Sequence, residues 1–136
     1  MIAVDTSIWI DFFRGRQTTQ TARLKESLKS ENDEAVLTDV VFAEILQGLG
    51  SEQEARRVDA YLSALRVLRL HSLDDFRLAA ALHRAARRKG FTIRRTSDCL
   101  IAAVCIRHGA PLLHADIDFD RLAAVSQLAI AEVPGA

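Results

Sequence analysis

The sequence predicts an α/β fold: a central, mostly parallel sheet of about five strands covered by helices on both faces, in a single domain spanning residues 1–136. Three observations predict it. Short apolar runs alternate with helix-like stretches along the whole chain. Glycine and proline stand where the helices would stop, as at Gly50, Gly90, Gly109 and Pro111. Two of the apolar runs end in an aspartate, Asp5 and Asp116, which is where parallel strands deliver functional side chains to one edge of a sheet.

Taken in order, Ile2–Val4 reads as the first strand and Ser7–Phe13 as a short helix ended by Arg14-Gly15. Thr21–Lys29 is a polar amphipathic helix. Ala35–Thr38 is the second strand, followed by a helix over Val40–Leu49. Glu52–Leu65 is helical, with Val58, Tyr61, Leu62 and Leu65 on one stripe. Val67–Leu70 is the third strand. Ser72 and Asp75 have the spacing of a capping box, and their helix runs to Lys89. A further helix covers Asp98–His108. Leu112–His114 is the fourth strand, expected beside the first, and Leu128–Val133 is the last. Right-handed crossovers leave few ways to connect such a sheet.

Composition narrows the function. No apolar run reaches the length of a membrane span and the first residues read as a strand rather than a secretory signal, so the expectation is a cytoplasmic protein. Cys99 and Cys105, six apart on one helix, face different ways and are poorly placed for a disulfide. Formal net charge is zero, which removes any global pull toward nucleic acid. Cations are nevertheless concentrated locally at Arg84, Arg87, Arg88, Lys89, Arg94 and Arg95. They read either as a solvated helix end or as a phosphate-binding patch beside Asp98; Arg87, Arg88, Arg94 and Arg95 are the candidate phosphate contacts.

Each acid alone has an ordinary explanation. Asp5 can cap a helix, Glu44 can lie on a wet helix face, Asp98 can favour a helix N-terminus, and Asp116-x-Asp118-x-Asp120 can be a solvated turn. Together they say more. Asp5, Glu44, Asp98 and Asp116 would meet at one sheet edge, where their mutual repulsion calls for a cation. Oxygen-only donors suit Mg²⁺ or Mn²⁺, and such ions activate water against a phosphodiester without a nucleophilic side chain. Other site types fail. Counting from Asp116, an EF-hand would need Gly and Glu where Arg121 and Gln127 stand. His71, His83, His108 and His114 lack zinc-ligand spacing. There is no phosphate-binding glycine loop. An aspartyl-nucleophile phosphatase would want a second Asp where Ser7 stands.

Four segments then carry a family resemblance: Ile2 through Gly15, Leu37-Thr38 through Glu44-Ile45-Leu46-Gln47-Gly48, Ser97-Asp98-Cys99-Leu100-Ile101-Ala102-Ala103, and Leu113-His114-Ala115-Asp116-Ile117-Asp118-Phe119-Asp120. In that order and at those intervals they resemble a PIN-domain ribonuclease, specifically the VapC-type toxin of bacterial toxin–antitoxin pairs. The resemblance covers essentially the whole chain. It implies a PIN-like three-layer α/β/α fold and a Mg²⁺- or Mn²⁺-dependent endoribonuclease that cuts tRNA or rRNA and inhibits translation. It implies metal ligation by Asp5, Glu44, Asp98 and Asp116, with Asp118 as a fifth acid and Thr6 and Ser97 orienting the carboxylates. It also implies a cognate antitoxin and a homodimer or larger toxin–antitoxin assembly. Trp9, Phe12 and Phe13 are the candidate partner contacts, because a short surface helix carrying Ile8, Trp9, Phe12 and Phe13 has more apolar surface than one core face absorbs. Two rivals are a PIN nuclease that processes RNA or trims DNA flaps, and a PIN domain that binds a partner without catalysis; an upstream antitoxin reading frame separates the first, Mn²⁺ binding the second.

Overall fold

The computed structural model describes residues 1–134. Four parallel strands, β1 (Ile2–Val4), β2 (Ala35–Thr38), β3 (Val67–Leu68) and β4 (Leu112–Leu113), form one sheet in the order β3-β2-β1-β4. The register pairs Ala3 with Val36 on one side and with Leu112 on the other, so β1 lies beside β4 as the sequence implies. Every residue of β1 and β2 is buried. Strands without a wet face need cover above and below, which is why they read as unbroken apolar runs.

The cover comes from α1 (Thr6–Phe13), α2 (Thr19–Lys29), α3 (Asp39–Gln47), α4 (Glu52–Ser63), α5 (Leu73–Arg88), α6 (Thr96–His108) and α7 (Ile117–Ala124). The central one is α6. Asp98, Cys99, Ile101, Ala102, Ala103, Val104 and Cys105 are all buried, so it has almost no polar face, as expected of a helix enclosed on all sides. It packs on β2 and β3 and against α3, α5 and α7. It ends at Gly109, whose φ of +63° is the left-handed cap conformation that glycine adopts without steric cost.

The structure differs from the sequence expectations at four places. The sheet has four strands, not about five. Of Leu128–Val133 only Ile130 forms a bridge, parallel to Leu112, because β4 is two residues long and offers no further ladder. The third strand stops at Leu68: the Leu70 N–H is drawn to the Asp39 carboxylate (3.0 Å) and the Arg69 carbonyl to the Arg107 guanidinium, so neither is free for a neighbouring strand. Asp75 does not close a capping box on Ser72. It is buried, accepts from the His71 N–H at 2.6 Å and binds Arg107 Nε at 2.9 Å, tying α5 to the far end of α6. Finally, the Asp-x-Asp-x-Asp run opens α7 instead of forming a turn. Asp116 caps it by accepting from the Asp118 N–H at 3.0 Å, and Phe119 and Leu122 supply the buried stripe.

Trp9 also departs from its expected role. It is wholly enclosed, and its indole N–H donates to the Val4 carbonyl at 3.1 Å, so it anchors α1 to β1 and presents nothing to a partner. Phe12 and Phe13 remain half-buried and pack with Tyr61, whose ring lies 5.5 Å from that of Phe13. Trp9→Ala should cost about 4 kcal/mol of folding stability through the cavity left and the lost hydrogen bond; a chemical denaturation midpoint close to that of the unaltered protein would contradict this anchoring role.

Candidate metal centre

The chain directions put the acids together. Asp5 is the first residue beyond β1; its N–H donates to the Leu113 carbonyl (3.0 Å), and its own carbonyl accepts from Ile8 and Trp9 as α1 begins. Asp116 stands three residues beyond β4, as the N-cap of α7. Asp98 comes from the first turn of α6 and Glu44 from α3, which starts directly after β2. Asp5, Glu44, Asp98 and Asp116 line one cleft of ≈ 280 Å³, with Arg95 on its rim. Larger hollows exist at the β3 edge (≈ 420 Å³) and between α5 and α6 (≈ 370 Å³). Neither gathers several acids, so chemistry and not size distinguishes the acidic cleft.

Each carboxylate is handled differently. Glu44 is fixed by two hydroxyls, Thr6 Oγ1 donating to Oε1 at 2.6 Å and Ser97 Oγ to Oε2 at 3.2 Å. Both hydroxyls therefore orient an acid, and it is the same acid. Burial, reinforced by Asp98, Glu44 and Asp116, pushes the Asp5 carboxyl up to about 7 even though the Thr6 backbone N–H opposes the shift. Burial likewise raises Asp98 to about 6, with Asp116, Glu44 and Asp118 adding to the rise and Arg95 opposing it. These are the signatures of anionic groups forced together with little water between them.

Asp118 behaves in the opposite way. Its side chain has no solvent exposure, but burial is outweighed by hydrogen bonds from the Arg94 backbone N–H and side chain and by the charges of Arg94 and Arg121, so its pKa lies below the usual carboxylate range. One ligand oxygen from each of Asp98, Asp116 and Asp118 falls within 4.8 Å of the others. That is close to the ~4.2 Å separating opposite ligands of one Mg²⁺. Asp118 is thus near enough to reach an ion, yet both its oxygens already carry arginine contacts, at 3.1 Å from Arg94 Nε and 3.3 Å from Arg121 Nη1. The donor set of Asp5, Glu44, Asp98 and Asp116 is all oxygen and anionic, and it fits a hard divalent cation.

Two features were not foreseen from sequence. Arg94, expected among the phosphate contacts, lies against Asp116 (3.0 Å) and Asp118 (3.1 Å). His114 supports Asp116 from behind: its Nδ1 accepts the Asp116 N–H at 3.0 Å, which leaves the ring proton on Nε2, facing Asp120 at 3.1 Å. The only signal for that role was a histidine two residues before an acid at a strand end. Arg87 and Arg88 are exposed on the last turn of α5 and Arg95 is exposed beside the cleft. Both cysteines are buried, Cys99 pushed up to about 11 and Cys105 to about 12, so neither offers a thiolate.

This fold and this convergence of acids define a PIN domain. The chain belongs to the PIN-domain family, whose model matches residues 2–125. Within it, the chain is 37% identical over 128 residues to the VapC ribonuclease Mb1587 of Mycobacterium bovis, a match covering 94% of this chain and 96% of that protein. The same identity and coverage hold for ribonuclease VapC11 of Mycobacterium tuberculosis. Among solved structures, VapBC2 from Rickettsia felis bound to a promoter DNA fragment matches with a TM-score of 0.75 at 23% identity, over 96% of this chain and 98% of that one. FitAcB from Neisseria gonorrhoeae matches with a TM-score of 0.74 at 18% identity over the full length of both chains. Among the described residues, no helix is long and apolar enough to cross a membrane.

Because Asp5 and Asp98 keep their protons to higher pH in the folded chain than the unfolded value of 3.8, the folded state binds more protons between about pH 4 and pH 7. The stability that these two groups contribute in chelator should therefore be greatest below about pH 4 and be lost as pH rises through about 6 and 7, by at most about 1.4 kcal/mol per pH unit for each group. Thermal unfolding of Asp5→Asn should show a pH profile that differs from the unaltered protein's by the loss of this fall, and excess Mn²⁺ should restore stability at neutral pH; identical profiles for the two metal-free proteins across that window would overturn the assignment.

Proposed function

We propose that this protein is a metal-dependent endoribonuclease, the toxin of a VapBC-type toxin–antitoxin pair, working as one PIN domain in the cytoplasm on structured RNA such as tRNA or rRNA to inhibit translation. The observation that carries the reading is the cleft itself: four carboxylates, two from beyond the ends of β1 and β4 and two from α3 and α6, meet at one sheet edge, and burial raises the pKa of two of them. The close likeness to proteins named VapC ribonucleases supports RNA as the substrate.

Bound Mg²⁺ or Mn²⁺ supplies a polarised water and positive charge opposite the scissile phosphate. The chain's own residues do the rest. Glu44, held by Thr6 and Ser97, is a ligand of fixed orientation. Asp5, Asp98 and Asp116 complete the donor set, and Asp118 lies beside it. Arg95 at the rim and Arg87 and Arg88 on α5 hold the sugar-phosphate backbone by charge. The half-exposed aromatic patch of Phe12, Phe13 and Tyr61 meets the antitoxin, and the toxin pairs with a second copy or enters a larger toxin–antitoxin assembly. The shared fold with VapBC2 from Rickettsia felis and FitAcB from Neisseria gonorrhoeae supports such a partner.

Asp5→Asn and Asp98→Asn should each lower RNA cleavage by at least about a hundredfold and end growth arrest on expression, with circular dichroism unchanged. EDTA should stop the reaction and added Mn²⁺ restore it. Cleavage at the unaltered rate in either variant, or in metal-free buffer, would refute the proposal.

A further inference from the structure

We infer that Arg94 is a built-in counter-cation of the acidic cleft, anchored by Asp118 and competing with a divalent ion for Asp116. This deepens the metal-site reading above and rests on it. Arg94 lies between α5 and α6. Its backbone N–H and its Nε both donate to the same oxygen of Asp118, at 3.3 and 3.1 Å, while Nη2 straddles the two oxygens of Asp116 at 3.0 and 3.1 Å.

The two ends of this guanidinium are unequal. Asp118 is fully enclosed, and Arg121, itself packed over the Phe91 ring at 4.8 Å, holds its other oxygen at 3.3 Å. The Asp118 end is therefore fixed: releasing it would leave a buried carboxylate short of partners, which is costly. The Asp116 end is different, since that carboxylate retains 24% of its side-chain exposure and the Arg94 side chain 64%. Contacts between groups this accessible are weak and exchangeable. Nη2 nonetheless covers both oxygens that Asp116 would offer to an ion. Divalent binding at Asp116 competes with that contact, and where the contact yields, the arginine, still tethered through Nε, is left at the cleft mouth with a free fork of donors. Asp118 accordingly acts through Arg94 and is not itself a ligand.

The test is calorimetric Mn²⁺ titration of the full chain at neutral pH. Arg94→Gln should bind Mn²⁺ roughly two- to tenfold more tightly than the unaltered protein. The double variant Arg94→Gln with Asp118→Asn neutralises the buried acid together with its partner, so it guards against a single variant that does not fold, and it should also bind more tightly. Arg94→Lys, which keeps the charge without the fork, should fall between. Unchanged or weaker binding in a folded Arg94→Gln protein overturns the inference while leaving the metal site standing; weaker binding in the double variant makes Asp118 a ligand and overturns it as well. Loss of the fold in both would make Arg94 a structural residue. Absence of Mn²⁺ uptake by the unaltered protein would remove the metal reading itself, and this inference with it.

Discussion

Electrostatic repulsion among carboxylates gathered at one sheet edge is the constraint to which the rest of this molecule answers. Parallel strands of two to four residues bring Asp5 and Asp116 to adjacent positions, and α3 and α6 add Glu44 and Asp98. Several devices offset that repulsion. Hydroxyls of Thr6 and Ser97 hold Glu44, arginines hold Asp118, and Asp5 and Asp98 are held above the usual carboxylate range by burial. The helices contribute too. Asp5 is the N-cap of α1, Asp98 lies in the first turn of α6 and Asp116 is the N-cap of α7, so three helix N-termini, each partly positive, point toward the same cleft.

The scaffold is suited to hold such a group in place. Helix α6 is enclosed along most of its length, so the end that carries Asp98 cannot drift without disturbing the core. Its other end is tied through Arg107 to the buried Asp75 and to the Arg69 carbonyl beside β3. Asp5 is fixed by its backbone hydrogen bond to Leu113 and by the turn of α1 over it. The acids are thus set by rigid elements, and the more mobile chemistry is left to arginines at the surface.

Much of this was legible in the sequence because it depends on local pattern. The strands over Ile2–Val4 and Ala35–Thr38 are fully apolar runs, and the helices between them follow the expected periodicity and end at glycine or at a cap. The placing of Asp5 and Asp116 followed from strand direction, and that of Glu44 and Asp98 from their positions near the starts of helices and from the motif resemblance; the cleft brings the four together. What stayed hidden depends on contacts distant in sequence. Three acids within five residues masked the stripe of Phe119 and Leu122 that makes α7 a helix. The stretch over 128–133 looks like a strand, yet its neighbour β4 is too short to pair with it beyond a single bridge. Arg94 looked like one more member of a basic run, and only the fold reveals the two aspartates beneath it. Trp9 looked like surplus apolar surface because periodicity on a short helix does not report how deeply that helix is set.

That burial has a practical corollary. Trp9 is the sole tryptophan of the chain, and its indole is bonded to the carbonyl of Val4, the residue immediately before Asp5. Intrinsic emission from this protein therefore originates at a single point beneath the corner where the first strand turns toward the acids. The indole is thus a native probe of that corner's backbone, with no label attached.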